Sequence, residues 1–211
     1  MFDFDKQIDR RGTNSLKWNK YKDQDVIPLW VADTDFMAPQ GVIDALQQRI
    51  AHGVFGYSRP SPRLIELIIE RMQQRYGWKI EPEWLLFMPG VVPGLNFGIK
   101  AWCRPEQHVI TPNPVYYPFL HAPEYNDRPV SLLPMQLVND RWLPDFDTFE
   151  QQAKTADVLL LCNPHNPGGT VFTREELTRI ADIAIRNDLV VISDEIHCDL
   201  LLEPNVKHIP F

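Results

Sequence analysis

The sequence predicts an α/β fold in which helices cover both faces of a mostly parallel sheet. Short apolar runs alternate with segments of helical periodicity through most of the chain, and this order is typical of strand–helix–strand units. The runs Val158–Cys162 and Val190–Ser193 are almost continuously apolar, as expected for parallel strands buried on both faces. The 19 prolines are scattered between these segments and therefore mark loops. The predicted architecture is a three-layer α/β/α arrangement.

The N-terminal part of the chain has the weakest secondary-structure signal. Residues 1–40 lack strong periodicity and are predicted to be an N-terminal segment, while residues 41–211 are predicted to be the main domain. From Pro39 onwards, apolar residues recur on one helical face until His52 and Gly53 supply a stop signal. We therefore predict a first helix at the junction of the two parts.

The later elements are predicted from caps, periodicity and apolar runs. Ser61 is an N-cap followed by Pro62, and a helix is expected from there to Gly77. Thr173 with Glu176 three residues later forms a capping box at the start of another helix. The other predicted elements are strands at Leu85–Met88, His108–Ile110 and Val130–Leu133, a hairpin turn at Asn139 and Asp140, and helices at Val91–Trp102, Tyr117–Ala122, Asp145–Ala156 and Thr173–Asn187.

Composition and charge argue against several classes of function. The formal net charge is −7 and no segment concentrates Lys and Arg, so a surface for nucleic-acid phosphates is not predicted. The longest aliphatic runs have about five residues, against the roughly 18–20 that a membrane-spanning helix needs. The start, MFDFDKQIDR, lacks the apolar core of a signal peptide, which predicts a cytoplasmic protein.

Signatures of metal sites and of serine hydrolases are also missing. Cys103, Cys162 and Cys198 are widely spaced and stand in or beside apolar runs, so they are predicted to be small buried hydrophobic residues. The sequence contains no H-E-x-x-H, no G-x-S-x-G and no G-x-G-x-x-G. We therefore predict neither metal ligands nor a serine nucleophile.

Asp194 directly follows a predicted buried strand, and ligands of open α/β sheets bind at the carboxyl ends of the strands. A carboxylate in that position loses hydration, which requires a cationic partner or several hydrogen bonds. Its neighbours Ser193, Glu195 and Ile196 offer no cation. Two interpretations stay open: either a ligand supplies the positive charge, or Asp194 only fixes a loop.

Three further segments are candidate ligand-binding loops. The prolines of the loop Asn163–Gly169 orient its amide side chains, although ordinary turn chemistry is the alternative. Gly90 precedes a predicted helix whose first N–H groups can bind a phosphate. Tyr116 and Tyr117 follow another strand, where one ring can stack on a flat ligand and the other can join the core.

Taken together, these features resemble the fold-type I pyridoxal-phosphate enzymes of the class I/II aminotransferase group, and more narrowly the MalY/PatB cystathionine β-lyases. The Asn-Pro loop is typical of the broad group, whereas VFGYS at 54–58 and SDEIH at 193–197 favour the carbon–sulfur lyases. The resemblance spans the chain and implies a large domain with the PLP-dependent transferase-like fold. The segments that carry it are MFDF at the start, RRGT at 10–13, PLWVAD at 28–33, Asp35-Phe36, GVFGYS at 53–58, PVYYPF at 114–119, NPHNPG at 163–168, SDEIH, and HIP at 208–210.

The resemblance implies a role for each polar residue near the strand ends. Asp194 is expected to pair with the protonated pyridine nitrogen of pyridoxal phosphate, and Asn166 to donate to its phenolic oxygen. His197 is expected near that oxygen, and Tyr116 is expected to stack on the ring. These residues are therefore the predicted ring-binding group.

The phosphate and the dimer are implied in the same way. The backbone N–H groups of Val91 and Val92 are expected to hold the phosphate. Tyr57 is expected to reach the phosphate of the neighbouring subunit across the interface of a homodimer.

The implied activity is an α,β-elimination that converts an amino-acid thioether such as cystathionine into a thiol, pyruvate and ammonia. Many aminotransferases carry Tyr where this chain has His197, so a lyase is preferred over an aminotransferase. An aminotransferase, and a regulatory fragment that acts through protein contacts, stay open as alternatives. An unrelated nucleotide- or sugar-binding α/β enzyme is disfavoured because the glycine fingerprints are missing.

The family's Schiff-base lysine is not identified in the sequence. It is expected in a Ser-x-Ser-Lys setting about 30 or more residues after Asp194, and the last residue, Phe211, precedes that point. The resemblance therefore implies the N-terminal half of such an enzyme, truncated at the C-terminus and inactive alone. The eight lysines, none in that setting, are Lys6, Lys17, Lys20, Lys22, Lys79, Lys100, Lys154 and Lys207.

Overall fold

The computed structural model describes residues 3–211, so the first two residues of the MFDF motif and of the predicted segment 1–40 lie outside the described residues. The chain divides into two compact units, an N-terminal unit that ends at Arg59 and a second unit, Pro60–Phe211. The predicted boundary at residues 40/41 falls inside the N-terminal unit.

The described residues of the N-terminal unit form two helices, α1 (Leu16–Asn19) and α2 (Gln40–His52). Helix α2 has the predicted position and ends at Gly53, whose φ of 73° is the left-handed conformation that glycine adopts readily. Helix α1 is a single turn, capped by the Ser15 side chain, and the sequence did not predict it. No residue of α2 is buried, so its apolar stripe stays exposed.

Two aspartates of the PLWVAD region are neutralised inside the N-terminal unit. The Arg10 guanidinium donates to Asp33 at 2.6 Å and to Asp35 at 2.7 Å, and the Lys17 ammonium donates to Asp35 at 2.8 Å. Hydrogen bonds from Lys17, Trp18 and Arg10 hold the pKa of Asp35 below its usual range. Both carboxylates are therefore paired with cations of the same unit, and these ion pairs stabilise the N-terminal unit.

The second unit is built on a sheet whose described residues form five strands. In chain order they are β1 (His108–Asn113), β2 (Val130–Val138), β3 (Arg141–Pro144), β4 (Ala156–Cys162) and β5 (Val190–Asp194). The spatial order is β3-β2-β1-β4-β5, and every pair is parallel except β2 with β3. The predicted mostly parallel sheet is confirmed.

The hairpin between β2 and β3 turns at Asn139 and Asp140, as predicted. Their φ values of 50° and 61° are left-handed, the conformation that a two-residue hairpin turn requires and that Asn and Asp tolerate. The strand predicted at Leu85–Met88 is wrong. That segment is irregular, and Leu86, Phe87 and Met88 are exposed, because no neighbouring strand in the described part of the chain pairs with it.

Helices cover both faces of this sheet and give the three predicted layers. Leu95 and Ile99 pack on one face, and Phe149 and Ile180 pack on the opposite face, in two separate apolar clusters. Within the described residues, no helix is both long and apolar enough to cross a bilayer. The helices of this unit are α3 (Pro62–Tyr76), α4 (Val91–Trp102), α5 (Pro118–Tyr125), α6 (Phe146–Gln152) and α7 (Arg174–Arg186), with short 3-10 turns at Pro82–Trp84 and Ala153–Thr155.

Candidate active site

The carboxyl ends of β4 and β5 present polar atoms toward the layer that contains α4. On β5, Val190 and Ile192 pack against the cluster formed with α4, and side chains two apart on a strand share a face. Asp194 therefore faces the same layer. Cys162, the last residue of β4, belongs to the same cluster. The two strand ends thus form the floor of the candidate site.

Helix α4 begins above this floor. Just after its C-terminus, Arg104 donates from Nε to Asp157 Oδ2 at 2.9 Å, and Asp157 lies at the amino end of β4. Midway along the helix, a Cβ on Gly98 would lie only 2.7 Å from Cδ1 of Ile192, so the glycine allows a close approach to β5. Because α4 ends at the amino edge of the sheet, it begins at the carboxyl edge, on the face of Asp194.

The first turn of α4 has no side-chain cap. Its N-cap, Gly90, has a φ of 144° that side-chain-bearing residues rarely adopt, and glycine offers no side-chain acceptor. The N–H groups of Val91 and Val92 precede the helical hydrogen-bond ladder, and Pro93 has no N–H. This turn therefore presents two amide donors and the positive end of the helix dipole to an anion.

Asp194 is a buried carboxylate with little compensation. It is 7% exposed, and it accepts a hydrogen bond from the Ile196 N–H at 3.1 Å. Within the described residues, no Lys or Arg side chain bonds this carboxylate. Burial raises its pKa, while the Ile196 hydrogen bond and the nearby His197 lower it. A cation placed here would therefore be bound favourably.

The Asn-Pro loop is tied to the loop that follows β1. Asn166 accepts from the Tyr116 N–H at 2.9 Å through its carbonyl oxygen, and its own N–H donates to Cys162 Sγ at 3.3 Å. His165 is buried; its Nδ1 accepts from the Gly168 N–H at 3.2 Å, so Nε2 carries the proton and donates to the Pro114 carbonyl at 3.0 Å.

Burial lowers the pKa of His165, which keeps the ring neutral. Sequence reasoning did not single out this residue, because its partner lies far away along the chain.

Tyr116 lies in the loop after β1, at the same edge of the sheet as Asp194. The ring is half-buried and forms an edge contact with the Tyr117 ring at a centroid distance of 5.0 Å. Burial raises the pKa of Tyr116, and the negative charge of Asp194 contributes to the same shift, so the hydroxyl lies within the electrostatic reach of that carboxylate. The phenol therefore stays protonated.

The structure brings most of the predicted site residues to one edge of the sheet. His197 is half-buried in the turn after β5, close enough to influence the charge of Asp194. Tyr57 is the exception, since it belongs to the N-terminal unit and is fully exposed. The residues at the carboxyl edge are Val91, Val92, Tyr116, Asn166, Asp194 and His197.

Comparisons with known proteins point to one family. The model of the family "Aminotransferase class I and II" matches residues 24–210. The cystathionine β-lyase PatB of Bacillus subtilis is 40% identical over 214 residues, which cover 99% of this chain and 55% of PatB. The chain thus spans about half the length of the curated relatives that it matches, in agreement with the expected correspondence to half of a family member.

Solved structures give the same result for the fold. The crystal structure of OvoB superposes with a TM-score of 0.94 at 52% identity, covering 99% of this chain and 55% of OvoB. Cystalysin from Treponema denticola, whose structure contains pyridoxal 5'-phosphate, superposes with a TM-score of 0.92 at 33% identity, covering 100% of this chain and 55% of cystalysin.

Proposed function

Because the chain belongs to the class I and II aminotransferase family, we propose that its second unit forms the pyridoxal-phosphate-binding part of a carbon–sulfur β-lyase. The observation that carries the proposal is a pair of complementary features at one edge of the sheet. Asp194 is a buried carboxylate that no Lys or Arg side chain among residues 3–211 bonds, and α4 begins there with N–H groups that no side chain caps. A ligand with one cationic and one anionic end satisfies both.

Pyridoxal phosphate has this charge distribution, since its pyridine nitrogen can be protonated and its phosphate is anionic. Asp194 would pair with the pyridinium, and the N–H groups of Val91 and Val92 would hold the phosphate. When bound, the cofactor supplies a ring that withdraws electrons from the substrate. The buried Asp194 would favour the protonated pyridine nitrogen, because a cation at this position relieves the cost of the buried charge.

The remaining residues at this edge would orient the ring. Asn166 would donate to the phenolic oxygen through its side chain, since its backbone groups are engaged by Tyr116 and Cys162. Tyr116 would stack on the ring, and its edge contact with Tyr117 limits its rotation. His197 would lie near the phenolic oxygen. Tyr57 would reach the phosphate of a neighbouring subunit, which requires a homodimer.

For the whole protein we propose an α,β-elimination on an amino-acid thioether that gives a thiol, pyruvate and ammonia. The names of PatB and of other matching relatives, which are cystathionine β-lyases, support this reaction over transamination, as does His197 at the position where many aminotransferases carry Tyr. We propose that residues 1–211 bind the cofactor and do not catalyse the elimination alone. We also propose a cytoplasmic location.

Pyridoxamine phosphate tests the site, because it has the ring and the phosphate but no aldehyde that could react with surface lysines. We expect the purified chain to bind it saturably and to lose it on dialysis. Pyridoxamine without the phosphate is the matched ligand control and should bind more weakly. Absence of saturable binding would contradict the proposed function.

Pyridoxal phosphate followed by borohydride tests the lysine assignment separately. We expect scattered, substoichiometric modification of exposed lysines. Stoichiometric reduction at one lysine, identified by peptide mass spectrometry, would show that the Schiff-base residue is present after all.

A further inference from the structure

Glu195, the residue after Asp194, binds more partners than Asp194 itself. Its Oε1 accepts from Ser193 Oγ at 2.8 Å and from the Phe211 N–H at 2.9 Å, and its Oε2 accepts from His208 Nε2 at 2.8 Å. Three donors therefore fix one carboxylate that has no place in the proposed cofactor contacts.

His208 anchors the far side of this arrangement. The residue is buried, and its ring makes an edge contact with Tyr76 of α3 at a centroid distance of 5.8 Å. A carboxylate only accepts, so the His208 proton is on Nε2, and Nδ1 is buried without a partner in the described part of the chain. Next to it, the Ile209 carbonyl accepts from Asn163 Nδ2 at 3.1 Å, which joins segment 208–211 to the end of β4.

Helix α3 holds the other end of the turn that contains His197. Arg71 donates to Asp199 Oδ2 at 2.7 Å, and Arg75 forms a second ion pair with Asp199. Burial raises the pKa of Tyr76 of the same helix, and the neighbouring Cys198 of this turn contributes to that shift. The turn is thus fixed at Glu195 on one side and at Asp199 on the other.

We propose that Glu195 is a positioning residue for the candidate active site, which aims Asp194 and His197 by clamping their backbone to segment 208–211. The inference rests on the proposed function. Its physical basis is that the Asp194 side chain accepts one hydrogen bond, from the Ile196 N–H, and that Glu195 stands between these two residues. The Glu195 carboxylate is itself fixed by Ser193, His208 and Phe211. Loosening Glu195 lets the hydrogen bond between Asp194 and Ile196 open.

The substitution Glu195→Gln tests this positioning role, because the glutamine side chain has nearly the same volume as the glutamate side chain. An amide has one accepting oxygen, so it cannot serve Ser193, Phe211 and His208 together. If the amide nitrogen faces His208, the imidazole must move its proton to the buried, unpartnered Nδ1. The matched control is Glu83→Gln, an exposed glutamate of the same unit.

Two measurements report on the position of Asp194 rather than on stability. The first is hydrogen exchange of the Ile196 amide in the unliganded chain. We expect faster exchange in E195Q, with unchanged exchange in β1 and in E83Q. The second is the dissociation constant of pyridoxamine phosphate, together with the induced circular dichroism per bound molecule. We expect about tenfold weaker binding and a smaller dichroism signal in E195Q.

The outcomes separate this inference from the proposed function. If wild type and E195Q bind equally, with equal dichroism and equal Ile196 exchange, the clamp is refuted and the cofactor site stands. If the wild type does not bind pyridoxamine phosphate, both are refuted. A thermal unfolding midpoint well above the assay temperature ensures that weaker binding by E195Q reflects the site.

Discussion

Two aspartates at opposite edges of the same sheet differ in their partners and in the direction of their pKa shifts. At the amino edge, Asp157 accepts three hydrogen bonds from Arg104, one from the backbone N–H at 3.0 Å and two from the guanidinium at 2.9 and 2.7 Å. These bonds lower the pKa of Asp157. At the carboxyl edge, burial raises the pKa of Asp194, which has no such cation among the described residues. Asp157 thus has its own arginine, whereas Asp194 is the carboxylate that we propose to meet a ligand cation.

Two helix N-termini show the same contrast. Helix α7 begins with a complete capping box, in which Thr173 accepts from the Glu176 N–H and Glu176 accepts from the Thr173 N–H. Helix α4 begins with Gly90 and has no side-chain cap. Side chains thus satisfy the Thr173 and Glu176 N–H groups at the start of α7, whereas no side-chain acceptor caps the first turn of α4.

The largest expected effect on cofactor affinity comes from substituting Asp194. Asp194→Asn removes the charge that would pair with the pyridinium and should weaken pyridoxamine phosphate binding by about 100-fold, as expected for a lost hydrogen bond between charged groups. Asp157→Asn is the matched control at the other edge and should bind as the wild type does. Isothermal titration measures the affinity of both variants for pyridoxamine phosphate. Equal losses of affinity in the two variants would contradict the proposed difference between the two edges.

A smaller effect is expected at the first turn of α4. Val91→Pro removes one amide donor at a position where helices tolerate proline. Loss of one bond to the phosphate should weaken pyridoxamine phosphate binding by about tenfold, with pyridoxamine binding unchanged. Fluorescence titration with both ligands measures this difference. Equal losses for the two ligands would mean that the turn does not bind the phosphate.

The smallest effect on binding is expected at the capped helix. Thr173→Ala removes half of the capping box and should lower the free energy of unfolding by about 1 kcal/mol. The affinity for pyridoxamine phosphate should not change, because α7 packs on the face of the sheet opposite to α4. Urea unfolding and a ligand titration of the same variant test the two parts of this prediction.

Local signals in the sequence were sufficient for the elements that are defined by neighbouring residues. Helix α4 has its predicted bounds because Gly90 and the apolar period are both local. For Asp194, the neighbouring residues show only that no cation is offered locally, which leaves a ligand and a loop-fixing role both open. The strand predicted at Leu85–Met88 failed because a strand depends on a pairing partner. The roles of His165 and Glu195 depend on Pro114 and on residues 208–211, which are distant in sequence.

The pH dependence of stability follows from the same two carboxylates, with opposite signs. The lowered pKa of Asp157 means that its ionised form stabilises the fold above the unfolded pKa of about 3.9, and this contribution is lost as the pH falls below that value. The raised pKa of Asp194 means that the folded chain binds its proton more tightly than the unfolded chain does. Stability therefore falls as the pH rises from about 3.9 through the folded pKa of Asp194.

The thermal unfolding midpoint at pH 7, without cofactor, tests the central claim most directly. Burial of the Asp194 charge, which no Lys or Arg among the described residues pairs, predicts that Asp194→Asn raises the midpoint, and that this gain shrinks as the pH falls toward 4. Asp157→Asn should lower the midpoint at both pH values. A midpoint that falls in Asp194→Asn as it does in Asp157→Asn would contradict the account, because Asp194 would then be a structural carboxylate with its charge already compensated by the protein.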